Sequence, residues 1–193
     1  MTKILLVTLS LLSCTRLASA EVRTIEELKE AFPAAVVFDH SIELLAQDMT
    51  GRPEVITGRV DAVEGMPFKQ CLTLDIKDPG ANVYAINIAF REENKWEVGD
   101  AGMLAFYCRT LETQNPYGAS GFMLQYKPDY ADWRYHVQAD LFMTREWKLI
   151  MIPFEVTIDA ADTPKSVLLF FFGGVDPHKF QMAKLQVFNY GKD

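Results

Sequence analysis

The sequence predicts an all-β protein, an antiparallel β-sandwich of the jelly-roll kind with one or two short helices ahead of it. Three observations carry that prediction. From Val55 onward, about nine short runs rich in β-branched and aromatic residues alternate with turn residues. No long stretch repeats its apolar residues at helical spacing. Some runs, such as Leu168-Leu169-Phe170-Phe171-Phe172, are apolar at every position, as strands packed centrally in two stacked sheets are.

The elements follow in order along 193 residues, a length that suits one domain with a proper core. Residues 1–20 read as a signal peptide, with Lys3 in a short positive region, an apolar run over 4–12, and Ala18-Ser19-Ala20 as the cleavage site. The apolar run is too short for a bilayer span, which needs ~20 residues. Export to the periplasm or the medium is the expectation. Leu11-Leu12-Ser13-Cys14 also resembles a bacterial lipobox, which would leave a lipoprotein anchored through Cys14. Residues 21–54 read as an N-terminal extension packing on the domain, and 55–193 as the sandwich itself.

Within the extension, Thr24 and Glu27 have capping-box spacing and Pro33 stops the run, so 24–32 is predicted helical. Residues 41–49 read as a second short helix or an irregular strand. The nine strand runs are then separated by Asp78-Pro79-Gly80, Val98-Gly99-Asp100, Asn115-Pro116-Tyr117-Gly118, Lys127-Pro128-Asp129 and similar breaks. There are no internal repeats, low-complexity tracts or linkers.

Charge narrows the partners. Loss of Lys3 and Arg16 with the signal peptide takes the formal net charge from −7 to −9. Nucleic acid and anionic membranes call for basic patches, so both are disfavoured, and acidic polysaccharides are disfavoured on the same ground. Beyond Cys14 the cysteines are Cys71 and Cys108. Strand alternation puts Cys71 with Lys69 and Thr73 on a polar face, and Cys108 with Leu104 and Phe106 on a core face, which argues against a disulfide.

Catalytic signatures are absent. The sequence holds no G-x-S-x-G, H-E-x-x-H, P-loop or G-x-G-x-x-G pattern. His40, His136 and His178 are far apart and none has metal-ligand spacing, so they read as structural. Glu92, Glu93, Glu146 and Glu155 supply carboxylates of the type a glycosidase uses, without any spacing that marks a pair. The expectation is a non-catalytic protein with no cofactor. A structural calcium is compatible with a jelly roll, and Asp39, Asp176 and Asp193 offer oxygens, but no loop has the ligand spacing.

Binding chemistry is easier to read. QYKPDYADWRYHVQ (125–138) sets Tyr126, Tyr130, Trp133 and Tyr135 among polar residues. Sugar rings lay their C–H faces on aromatic planes, while planar polar groups hold their hydroxyls. Trp133 lies between Asp132 and Arg134 and is expected to be exposed; Trp96 reads as exposed, Trp147 as core.

Taken together, GD (99–100), LAFYCR (104–109), EWK (146–148), PF (153–154), FFFGG (170–174) and VFNYG (187–191) resemble a carbohydrate-binding-like module. That module occurs ahead of the catalytic barrel in bacterial xylanases of glycoside hydrolase family 10, and belongs with the galactose-binding-like jelly rolls. MPFKQCLTLDI (66–76) matches its early strands, and Tyr84 stands where the family carries Trp in Asn-x-Trp. His178 stands where the family has Gln, an exchange that an orienting role survives.

The resemblance implies a secreted module that binds a plant- or algal-type polysaccharide or oligosaccharide. Tyr84, Tyr130 and Trp133 would stack on sugar, with Arg109, Asn115 and Gln125 as polar contacts; an internal ion pair is the competing role for Arg109. No barrel follows Asp193, so a stand-alone module is expected. The alternatives are a structural or protein-interaction domain of the cell envelope and, third, a jelly-roll lyase or hydrolase.

Overall fold

The computed structural model describes residues 23–39, 54–93, 96–128, 134–158 and 165–192. The short helix or irregular strand expected at 41–49 lies outside the described residues. Within them the chain forms one helix, α1 (Ile25–Ala31), and ten strands. These are β1 (Val36–Asp39), β2 (Ile56–Ala62), β3 (Gln70–Ile76), β4 (Asn87–Glu93), β5 (Ala101–Thr113), β6 (Ser120–Lys127), β7 (Val137–Met143), β8 (Lys148–Glu155), β9 (Lys165–Phe171) and β10 (His178–Gly191). Strands β2 to β10 are the nine that the sequence predicts; β1 is the addition.

All pairings are antiparallel and make two stacked sheets. The larger runs β2-β3-β10-β5-β8, and the smaller runs β4-β9-β6-β7. Strand β10 is long enough to take two partners on one side. Its residues 178–182 pair with β3, and 186–189 pair with β1. Between these halves a register shift falls around Lys184, whose φ of 54° makes it a left-handed non-glycine residue. Four residues of β1 carry too little pattern to announce a strand, which is why β1 escapes a reading by alternation.

Period-two alternation assigns each strand's faces. Leu72, Leu74 and Ile76 of β3, Leu104, Phe106 and Cys108 of β5, and Phe180, Met182 and Val187 of β10 point between the sheets. They meet Phe122, Leu124 and Tyr126 of β6 and Leu168 and Phe170 of β9. Full burial of each such side chain stabilises by about 1.5–3 kcal/mol, so this layer is what holds the sheets together.

The outer faces explain why several strands are apolar on both sides. On β5, Met103, Ala105 and Tyr107 face outward yet are buried, because α1 lays Ile25 and Leu28 over them. The helix is fixed by Thr24 Oγ1, which accepts from Glu27 N at 3.0 Å. On the smaller sheet, Val167, Leu169 and Phe171 of β9 join Met123 of β6 in a third apolar cluster. The three consecutive Phe therefore divide, Phe170 and Phe172 inward and Phe171 outward.

Two tryptophans sit differently from expectation. Trp96 is half-buried rather than exposed; its Nε1 donates to Tyr126 Oη at 2.7 Å, and its ring packs on Phe38 and Phe154. Trp147 is not between the sheets. It precedes β8 on the outer side of the larger sheet, edge-on to Phe68 at 5.0 Å.

Candidate functional site

Only half of the larger sheet's outer face lies under α1. The other half is polar, and one row of side chains crosses it from strand to strand. Register places Arg59 of β2 beside Thr73 of β3, Thr73 beside Gln181 of β10, and Gln181 beside Arg109 of β5. Trp147 closes the row ahead of β8.

The row is a directed chain of hydrogen bonds. Arg109 Nε donates to Gln181 Oε1 at 2.8 Å, and Gln181 Nε2 donates to Thr73 Oγ1 at 2.9 Å. Thr73 in turn donates to Asp61 Oδ2 at 2.6 Å. Asp61 ends the chain and also takes Arg59 Nε on both oxygens, at 2.9 and 3.0 Å. The Arg59 guanidinium, and then the Thr73 hydroxyl, hold the Asp61 carboxyl below its ordinary value. Thr73 and Gln181 are buried at the middle of the row, so these bonds satisfy groups that would be costly to leave alone.

Arg109 is held from two sides. Its Nε is bound to Gln181, and its guanidinium carbon stands 4.7 Å from the centre of the Trp147 ring. Cation–π contact and the hydrogen bond fix the plane of the guanidinium. Among the described residues, neither terminal nitrogen of Arg109 has a hydrogen-bond partner, and the residue is only half-buried. The result is a rigid fork of N–H donors on an open polar face.

The other residues singled out from the sequence do not gather around Arg109. Gln125 is on the outer face of the smaller sheet, buried, with Nε2 donating to Gln138 Oε1 at 2.7 Å. Tyr84 is exposed on that same side of the sandwich, in a 3-10 turn, edge-on to Phe171 at 5.2 Å. Asn115 builds the β5–β6 turn, where its Oδ1 accepts from Tyr117 N at 2.9 Å. Tyr130 and Trp133 lie outside the described residues. Arg109 thus stands on one outer face, and Tyr84 and Gln125 on the opposite one, with two sheets ~10 Å apart between them.

Sequence reading passed over Trp147, Gln181, Thr73, Asp61 and Arg59. Gln181, Thr73, Asp61 and Arg59 each have outward parity in their strands, so for these four the signal existed residue by residue. What joins them is register between strands distant in sequence, which one chain does not display.

His178 opens β10 as a buried residue, with Nδ1 donating to the Asp176 carbonyl at 2.8 Å. Asp176 lies beside that end of β10, whereas Asp39 pairs opposite Gln186, eight residues or roughly 25 Å of strand away. These two carboxylates therefore do not share an ion, and Asp193 lies outside the described residues. Among the described residues no three His, Cys, Asp or Glu side chains are grouped to hold a metal.

No protein-family model matches the sequence. No curated protein matches it either. Solved structures do. A CBM4 carbohydrate-binding module superposes with a TM-score of 0.52 at 13% identity, over 79% of this chain and 86% of that one. The CBM22-1 xylan-binding domain of Paenibacillus barcinonensis superposes with a TM-score of 0.50 at 15% identity, over 83% and 97%. An arabinose-bound α-L-arabinofuranosidase gives a TM-score of 0.50 at 12% identity, over 89% of this chain but 25% of that one. The chain has the β-sandwich fold of carbohydrate-binding modules.

Proposed function

We propose that the protein is a non-catalytic module that binds an uncharged polysaccharide across the open half of the larger sheet's outer face. The observation that carries this reading is Arg109. Stacking on Trp147 and bonding to Gln181 hold its guanidinium in one plane, which leaves its terminal donors directed at whatever occupies the face. A pre-oriented fork of this kind hydrogen-bonds paired hydroxyls with little ordering cost. The likeness of the fold to carbohydrate-binding modules supports the same reading. Residues 1–20 carry an export signal pattern, so the polymer would be an extracellular one, of plant or algal type. Tyr84, Asn115 and Gln125 lie away from this face and would serve, if sugar reaches them, a separate contact on the other sheet or the turn.

Calorimetry against soluble xylan, mannan, mixed-linked glucan and their hexasaccharides tests the proposal. Saturable binding to one of them, weakened on the order of tenfold or more by Arg109→Ala with unfolding unchanged, is the expected result. Absence of binding across the panel overturns it.

A further inference from the structure

The Arg109 face offers a sugar hydrogen-bond donors but no free aromatic plane. Trp147 is engaged by the Arg109 guanidinium and by Phe68. Among the described residues the exposed aromatic rings are Tyr84, Tyr117, Tyr135 and Phe142, and none belongs to a strand of the larger sheet.

Aromatic rings do lie beside Arg109, in the cluster under α1. Trp147 contacts Phe68, and Phe68 contacts Tyr107, each with 5.0 Å between ring centres. Phe68 and Tyr107 are both 4% exposed and share one apolar cluster with Ile25 and Leu28 of the helix. Tyr107 stands two residues before Arg109 on β5, on the same outer face, so the rings continue the polar face that Arg109 belongs to.

The cover is lightly attached. α1 has seven residues, too few to persist as an isolated helix, so its order comes from docking. Ile25 and Leu28 are its buried residues. Ile25 N donates to Tyr107 Oη at 3.4 Å, and Glu26 meets Lys184 at 3.6 Å through side chains that are both more than a third exposed. An ion pair so exposed contributes little. The cluster beneath α1 is separate from the layer between the sheets, so lifting the helix leaves that layer intact. β1 stays paired with β10, which makes residues 32–35 the hinge.

One group under the cover favours its release. Gln186 stands opposite Ala105 of β5, which gives it outward parity, and it falls between Ala183 and Phe188 of the cluster under α1. It is fully buried, and neither its Oε1 nor its Nε2 has a hydrogen-bond partner. Closure thus leaves unpaired an amide that water satisfies once the helix lifts.

We propose that α1 is a displaceable cover, and that an uncharged sugar ring displaces it to stack on Tyr107 and Phe68 beside Arg109. The proposal rests on the glycan reading of that face and names its concealed aromatic part. Apparent affinity then scales with the fraction of molecules in which α1 is open.

Amide hydrogen exchange of residues 25–31 in the full chain is followed with and without xylohexaose, cellohexaose and mannohexaose. Saturation with the hexasaccharide that binds is expected to speed exchange there, whereas a ligand resting on a closed surface slows it or leaves it unchanged. Calorimetry adds two variants outside the Arg109 row. Leu28→Ser loosens the cover and is expected to tighten binding on the order of tenfold. Gln186→Leu removes the unpaired amide, firms the closed state, and is expected to weaken binding several-fold, roughly three- to tenfold. Hexasaccharide binding that does not speed exchange in 25–31, with both variants binding as wild type does, overturns the cover and keeps the Arg109 face. No hexasaccharide binding overturns both.

Discussion

Arg109 and Trp147, 38 residues apart in sequence, stack with 4.7 Å between guanidinium carbon and ring centre. The pair sits where the apolar cluster under α1 meets the open polar half of the sheet. Trp147 belongs to the apolar side through Phe68, and Arg109 to the polar side through Gln181.

Arg109→Lys keeps the charge but loses the flat stacking surface and the fixed donor fork. Ligand affinity is expected to fall on the order of tenfold, close to the loss in Arg109→Ala, because geometry rather than charge is what the face supplies. Calorimetry with the same hexasaccharide decides it; a lysine variant with native affinity means that charge alone suffices.

Thr73 joins two halves of the row, accepting from Gln181 and donating to Asp61. Thr73→Val keeps the shape and removes both bonds, which leaves Gln181 Nε2 buried without an acceptor. A loss of about 1–3 kcal/mol in unfolding free energy is expected from urea denaturation. Gln181→Leu, combined with Thr73→Val, is expected to recover part of that loss, since the orphaned amide is then gone.

Most of the fold was legible from alternation and turns, because nine of the strands are long enough to show period two. The site was legible only in part. Arg109 could be singled out from a short motif, but its partners Gln181 and Thr73 lie 72 and 36 residues away along the chain. Trp147 read as core because Leu149, Ile150 and Ile152 follow it, and apolar neighbours do not tell a covered outer face from the space between sheets. Tyr84 and Gln125 read as companions of Arg109 because sequence carries no label for which sheet a strand joins.

Cys71 and Cys108 are both buried free thiols, on strands separated by β10. Two strand spacings make ~9.6 Å, beyond the ~7 Å that a disulfide spans, and the side chains face opposite sides of the sheet. Burial raises the pKa of both thiols. Iodoacetamide labelling followed by peptide mapping is expected to leave both unmodified in the native protein at pH 8 and to modify both in urea. A Cys71–Cys108 crosslink in the mapped peptides would contradict the topology.

Acid should weaken the fold through His178 before it does so through carboxylates. Burial lowers the His178 pKa below 6.5, against smaller opposing effects from the Asp176 carbonyl and its charge. The unfolded chain then takes up a proton near pH ~6.5 that the folded chain refuses. Stability that is complete above that pH is lost as pH falls towards the folded-state pKa, with a limiting slope of ~1.4 kcal/mol per unit for one proton. Asp61, whose pKa Arg59 and Thr73 lower, adds a second loss only below pH ~3.9. Gln at position 178 keeps a planar polar group that does not titrate. Urea unfolding of wild type and His178→Gln between pH 7.5 and 4.5 is expected to show the two free energies converging as pH falls, since the variant lacks the histidine's share of the slope. Parallel curves over that interval would mean that His178 is as accessible to protons folded as unfolded.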